Sequence, residues 1–124
     1  MKVYKTRGFA RFARRERIKD EKLCEAVARA ESGLIDADLG SGVIKQRLSR
    51  QGQGRSGGYQ VIVFYRTSTR TVFVDGFAKS DQDNIDDGDV ARFKDLAREF
   101  LGHSEKTVQA LVGAGAWIEV ECDA

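Results

Sequence analysis

Residues Val43–Val74, VIKQRLSRQGQGRSGGYQVIVFYRTSTRTVFV, carry six basic side chains (Lys45, Arg47, Arg50, Arg55, Arg66 and Arg70) and no Asp or Glu. The pattern reads as three strands, Val43–Ser49, Tyr59–Arg66 and Arg70–Phe77, with a Gly-rich basic loop, Gln51–Gly58, between the first two. The short Thr67–Thr69 connection makes the last pair a tight antiparallel hairpin. In the middle strand Val61, Val63 and Tyr65 alternate with Ile62 and Phe64. Both sets are apolar, as a central strand covered on both faces requires. The result is an unneutralised positive surface built on a sheet. A polyanion is its natural partner, because each phosphate contact releases condensed counterions.

The flanks supply helices. Lys2–Lys5 reads as a short strand, and Thr6 is placed to cap a helix over Arg7–Glu16. In that helix Phe9, Phe12 and Ala13 share one face, while Arg7, Arg11, Arg14 and Arg15 take the other. Asp20 is expected to cap a second helix, Glu21–Glu31, ended by Gly33, so the two form a helical hairpin. Gly33–Gly42 reads as a linker. After the strands, Asp89 or a near neighbour caps Val90–Leu101, Gly102 stops it, and Ser104 starts a shorter helix to Val112. Ala116–Val120 is a last strand. The fold class expected is α+β: an antiparallel sheet with an N-terminal helical hairpin and C-terminal helices.

With 124 residues the chain fits one domain with a single modest core. The net charge of +2 hides an asymmetry. Residues 1–42 hold 10 basic and 7 acidic side chains, residues 43–74 hold 6 and 0, and residues 75–124 hold 5 and 12. A basic working face and an acidic C-terminal third follow. No apolar run approaches the ~18 residues of a membrane span, and the Arg-rich start lacks the apolar core of a secretory signal. Cys24 and Cys122, two distant cysteines without such a signal, are expected as reduced thiols, with a disulfide left open. The expectation is a cytoplasmic protein.

Common catalytic constellations are missing. The chain has one His, His103, placed beside the Gly102 helix stop, where an imidazole more often satisfies terminal carbonyls. Asp81, Asp83, Asp86, Asp87 and Asp89 lack the Gly and Glu positions of a calcium loop, so the reading is a solvated acidic loop and no metal. Gly52, Gly54 and Gly57 match GxGxxG, but a strand follows where a dinucleotide site needs a helix. Lys45 and Arg47, two apart, share one face of their strand. Tyr59 opens the next strand and Lys79 closes the last, so the four are expected to converge on one concave surface. RNA can be cut there by its own 2′-hydroxyl if the protein orients it, neutralises the phosphorane and helps move protons. On these residues alone, nucleic-acid binding is the first expectation and cleavage the second.

Several segments together resemble a known family. They are Phe9–Arg15 (FARFARR), Gly33–Gly40 (GLIDADLG), Ile44–Leu48 (IKQRL), Gly52–Tyr59 (GQGRSGGY), Val72–Ser80 (VFVDGFAKS) with Asp83–Ile85 (DNI), and Ala116–Val120 (AWIEV). The likeness is to the RelE/HigB branch of the RelE/ParE toxin superfamily and covers nearly the whole chain. It implies a single microbial-ribonuclease-like domain over 1–124, with 86–124 as a C-terminal helical extension. It implies a toxin of a type II toxin–antitoxin system that cuts mRNA at the ribosome, without metal or other cofactor. The partners implied are mRNA, the ribosome and a cognate antitoxin, typically a helix-turn-helix DNA-binding protein; no membrane is involved. The catalytic set implied is Lys45, Arg47, Lys79 and Tyr59, with Arg50, Arg55, Gln60 and Arg66 meeting RNA and Tyr59 stacking on a base. The chain departs from the family pattern at Gln60 and Gln82, where relatives carry Arg, and at Ile85, near a common Tyr. Two alternatives stand beside the nuclease. One is a non-enzymatic superfamily toxin that binds a protein such as gyrase; the other is a nucleic-acid-binding module that has lost cleavage.

Overall fold

The computed structural model describes residues 1–50, 54–78 and 85–122, leaving aside the side chains of 50 and 54–57. The elements, in chain order, are β1 (Lys2–Thr6), α1 (Arg7–Glu16), α2 (Asp20–Glu31), β2 (Ala37–Gly40), β3 (Val43–Arg50) and β4 (Gly54–Arg66). They continue as β5 (Arg70–Ala78), α3 (Asp87–Gly102), α4 (Glu105–Gly113) and β6 (Trp117–Val120). Among the described residues six strands form one sheet, in the order β2-β3-β4-β5-β1-β6. The fold is α+β, as the strand and helix patterns require.

The sheet is mixed rather than wholly antiparallel. β1 runs parallel to β5, with Val3 opposite Thr71 and Tyr4 opposite Val72, while the other neighbours are antiparallel. No tight turn joins β1 to β5, so their direction is set by how the helical hairpin returns the chain across the sheet. Gly33–Gly42, expected as a linker, contains the edge strand β2. Its four residues carry little strand propensity of their own, and pairing with β3 supplies the structure.

Helix ends follow their caps. Thr6 accepts a hydrogen bond from the Phe9 amide at 3.1 Å, Asp86 from Asp89 at 2.8 Å, and Ser104 from Thr107 at 3.1 Å. Asp20 is not a cap. Lys19 holds that position, and the Asp20 carboxylate in the first turn binds Lys5 Nζ at 2.9 Å. Arg17 closes α1 in the left-handed region at φ 59°.

Each face of the sheet has its own core. On the first, Phe9, Phe12 and Ala13 of α1 and Leu23, Ala26, Val27 and Ala30 of α2 pack on Ile44, Leu48, Val61, Val63 and Phe73. On the second, Phe93, Ala97 and Leu101 of α3 and Val108 of α4 pack on Tyr4, Val43, Ile62, Phe64 and Val72. The doubly apolar β4 therefore lies between two helical layers, and burying each such side chain contributes roughly 1.5–3 kcal/mol. Cys24 of α2 and Cys122 beyond β6 form a disulfide, with Cα atoms 5.5 Å apart, in place of the expected thiols. Sequence distance misled here: β6 pairs with β1 and brings Cys122 beside α2. Among the described residues no helix is long and apolar enough to cross a membrane.

Candidate nucleic-acid interface

Pleating places Lys45 and Arg47 on the second face of the sheet, the side of α3. The register sets them in two adjacent levels. Lys45 lies opposite Ile62, and Ile62 opposite Asp75; Arg47 lies opposite Gln60, and Gln60 opposite Phe77. Lys45 is half-buried and Arg47 exposed, whereas Gln60 and Phe77 are buried. Arg47 is held at the β2 edge by Asp36. Its amide donates to Asp36 Oδ2 at 2.6 Å, and its guanidinium stands 3.7 Å from Asp36 Oδ1. Arg29 of α2 pairs with the same carboxylate at 3.4 Å and donates to the Arg47 carbonyl.

Tyr59 departs from the expected convergence. It faces the first core, only 3% exposed, with its ring edge-on to Phe12 at 5.9 Å and its hydroxyl 3.5 Å from the Glu16 carbonyl. Residue 59 has odd parity in β4, so it shares a face with Val61 and Val63 and not with Ile62. Arg66 is also set apart. It lies four residues along β4 from the Lys45 level, about 13 Å, and donates to the Leu101 carbonyl at 3.1 Å. Arg70, 5% exposed, donates to the carbonyls of Phe100 and His103 at 2.9 and 3.1 Å. Helix α3 has no basic residue in its last turn, so these two strand arginines serve its unpaired carbonyls and negative dipole end. Two of the six cations in the acid-free stretch thus hold a helix in place. Arg50 and Arg55 (as side chains), Lys79 and Gln82 lie outside the described residues.

Asp75 was not legible as a site residue. It is the first acid after the basic stretch, and its facing depends on a β-bulge. The partner of Ile62 is Asp75 but that of Val63 is Phe73, so Val74 is the extra residue. Phe73 points to the first core and Val74 to the second. Strict alternation would turn Asp75 into the first core; the bulge turns it out beside Ile62. Gly76 then faces Phe12, where a Cβ would stand 2.5 Å from the ring. The only sequence signal is a glycine directly after the acid.

Two clefts open beside the helical hairpin, at the Arg47–Ser49 end of β3. One, about 690 Å³, is lined by Arg15, Arg17, Lys19, Lys22, Ser49 and Tyr59 among others. Its neighbour, about 510 Å³, takes in Lys22, Arg29, Asp36, Arg47 and Ser49. Lys22 bridges them by donating to Ser49 Oγ at 3.0 Å.

The family model for the RelE toxin of RelE/RelB toxin–antitoxin systems matches residues 1–120. The chain belongs to the RelE toxin family. No curated protein matches it. In this RelE-family chain the two basic strand positions, Lys45 and Arg47, share a face, and Gln60 lies between Arg47 and Phe77.

Proposed function

We propose that this RelE-family protein is the toxin of a toxin–antitoxin pair and acts in the cytoplasm as a metal-independent endoribonuclease on mRNA at the ribosome. A cognate antitoxin, a helix-turn-helix DNA-binding protein, neutralises it. The observation that carries the reading is Lys45 and Arg47 side by side on one face of β3 in a chain of this family. An mRNA strand laid across that face has its scissile phosphate against both cations. The 2′-hydroxyl attacks the adjacent phosphorus, and the cations stabilise the charge that builds on the phosphorane oxygens. Arg50, Arg55 and Lys79 add positive charge to the RNA path.

Expression of the full chain in a bacterium, followed by primer extension on abundant transcripts, tests this. Cut ends in coding regions are expected, and Lys45→Ala or Arg47→Ala should each lower cleavage by roughly 10²–10³-fold, as removal of one transition-state donor does. Arrested cells with intact transcripts would rule cleavage out and leave a toxin that acts by binding a protein.

A further inference from the structure

We infer that Asp75 takes the proton of the attacking 2′-hydroxyl when RNA lies across the Lys45 face. The inference rests on the ribonuclease reading above and names the group that reading lacks. A cationic face holds and polarises a phosphodiester, but a lysine and an arginine are poor proton acceptors while charged. Three features single out Asp75. It stands on the same face and at the same level as Lys45, across Ile62. Two strand spacings separate the Cα atoms by about 9.5 Å. The bulge at Val74 is what turns it there, and bulges recur beside active sites because they re-aim one side chain. Last, its side chain is open to solvent, as contact with substrate requires, while the sheet and α3 crowd behind it.

That crowding tunes the group. Burial pushes the Asp75 carboxyl above the usual carboxylate value; the Gly76 amide at 2.9 Å and Arg92 oppose the shift, and Asp89 adds to it. Among the described residues the charged groups that act on it are Arg92 and Asp89 of α3; Ile62 of β4, fully buried, stands between it and Lys45 of β3, and Arg47 lies one level further along. A raised carboxyl is a stronger proton acceptor than an ordinary one.

The step balances. The 2′-oxygen forms its bond to phosphorus as its proton passes to the Asp75 carboxylate. The bond from phosphorus to the 5′-oxygen breaks, and the departing oxygen takes a proton from the Lys45 ammonium. The products are a 2′,3′-cyclic phosphate and a 5′-hydroxyl, and exchange with water restores both side chains.

Single-turnover cleavage by the full chain, with programmed ribosomes and with free RNA, tests the assignment across pH. Asp75→Asn should lower the rate by roughly 10²–10⁴-fold with RNA affinity kept, and should flatten the acidic limb of the pH–rate profile. Asp75→Glu should recover part of the rate and restore that limb. Asp75→Ser replaces Asp75→Asn if the latter fails to fold by circular dichroism. Wild-type cleavage that Lys45→Ala abolishes but Asp75→Asn leaves unchanged overturns the assignment alone. So does a slower Asp75→Asn with an unaltered pH profile, which a merely structural role would give. Wild-type protein that leaves every RNA intact overturns the ribonuclease reading and this inference with it.

Discussion

Gln46 is 1% exposed between β3 and α2, and it spends its amide on three backbone groups. Its oxygen accepts from the Asp36 amide at 2.8 Å, and its nitrogen donates to the carbonyls of Ala26 and Leu34 at 3.1 and 3.2 Å. One side chain between Lys45 and Arg47 therefore ties the helical hairpin and the approach to β2 onto the working strand. Gln46→Leu fits the space but strands those groups, and should cost about 3 kcal/mol, since each unpaired buried polar group costs ~1–3 kcal/mol; urea unfolding measures it. Asp75 carries a second prediction at this scale. Its folded carboxyl binds a proton more tightly than the unfolded one. Stability from this group is thus present in acid, falls as pH rises from the unfolded value through the raised folded value, and stays flat above it. Asp75→Asn removes that loss. The variant should unfold at a higher temperature than wild type at about pH 7, with the gap closing at about pH 3. A site residue that lowers stability while it serves chemistry is a familiar trade.

At the scale of elements, β5 is bent to two purposes. Its bulge sends Phe73 into one core, Val74 into the other and Asp75 to the surface, and Gly76 leaves room for Phe12 of α1. Gly76→Ala puts a methyl against that ring, so either Phe12 moves or the bulge shifts. Overpacking of this kind costs about 1–3 kcal/mol, readable in thermal unfolding, and cleavage should fall further than stability because Asp75 loses its aim. Helix α3 shows the converse dependence. Its sequence contains an N-cap, Asp86, yet its C-terminal carbonyls rely on Arg66 and Arg70 from the sheet. Hydrophobic spacing placed the helices and strands within a few residues because amphipathic periodicity is local. It missed β2, whose residues pair only because β3 lies beside them.

Across the whole molecule, the Cys24–Cys122 bridge closes a sequence separation of 98 and fastens the chain beyond β6 to α2. Reduction, or Cys24→Ser, should destabilise the protein by about 2–4 kcal/mol, in line with long-loop disulfides; denaturant midpoints with and without reductant measure it. In a reducing compartment the pairing of β6 with β1 must then hold the C-terminal strand by itself. The charge asymmetry also takes shape at this scale. Acidic α3 lies on the same sheet face as Lys45, and Arg70 stands 3.6 Å from the Glu105 carboxylate of α4, so the basic stretch is partly answered by the chain's own acidic third.

The order of residues by itself determined the α+β class, the helical hairpin, the doubly buried β4 and the shared face of Lys45 and Arg47. Those features depend on spacing within one element, and periods of two and 3.6 residues are written in the chain. Only the tertiary structure decided the parallel β1–β5 pair, the retreat of Tyr59 into the core, the use of Arg66 and Arg70 at the end of α3, the disulfide, and the outward turn of Asp75. Each of these depends on which elements become neighbours and in what register. A one-residue bulge inverts a side chain's direction, and no local pattern records where it falls.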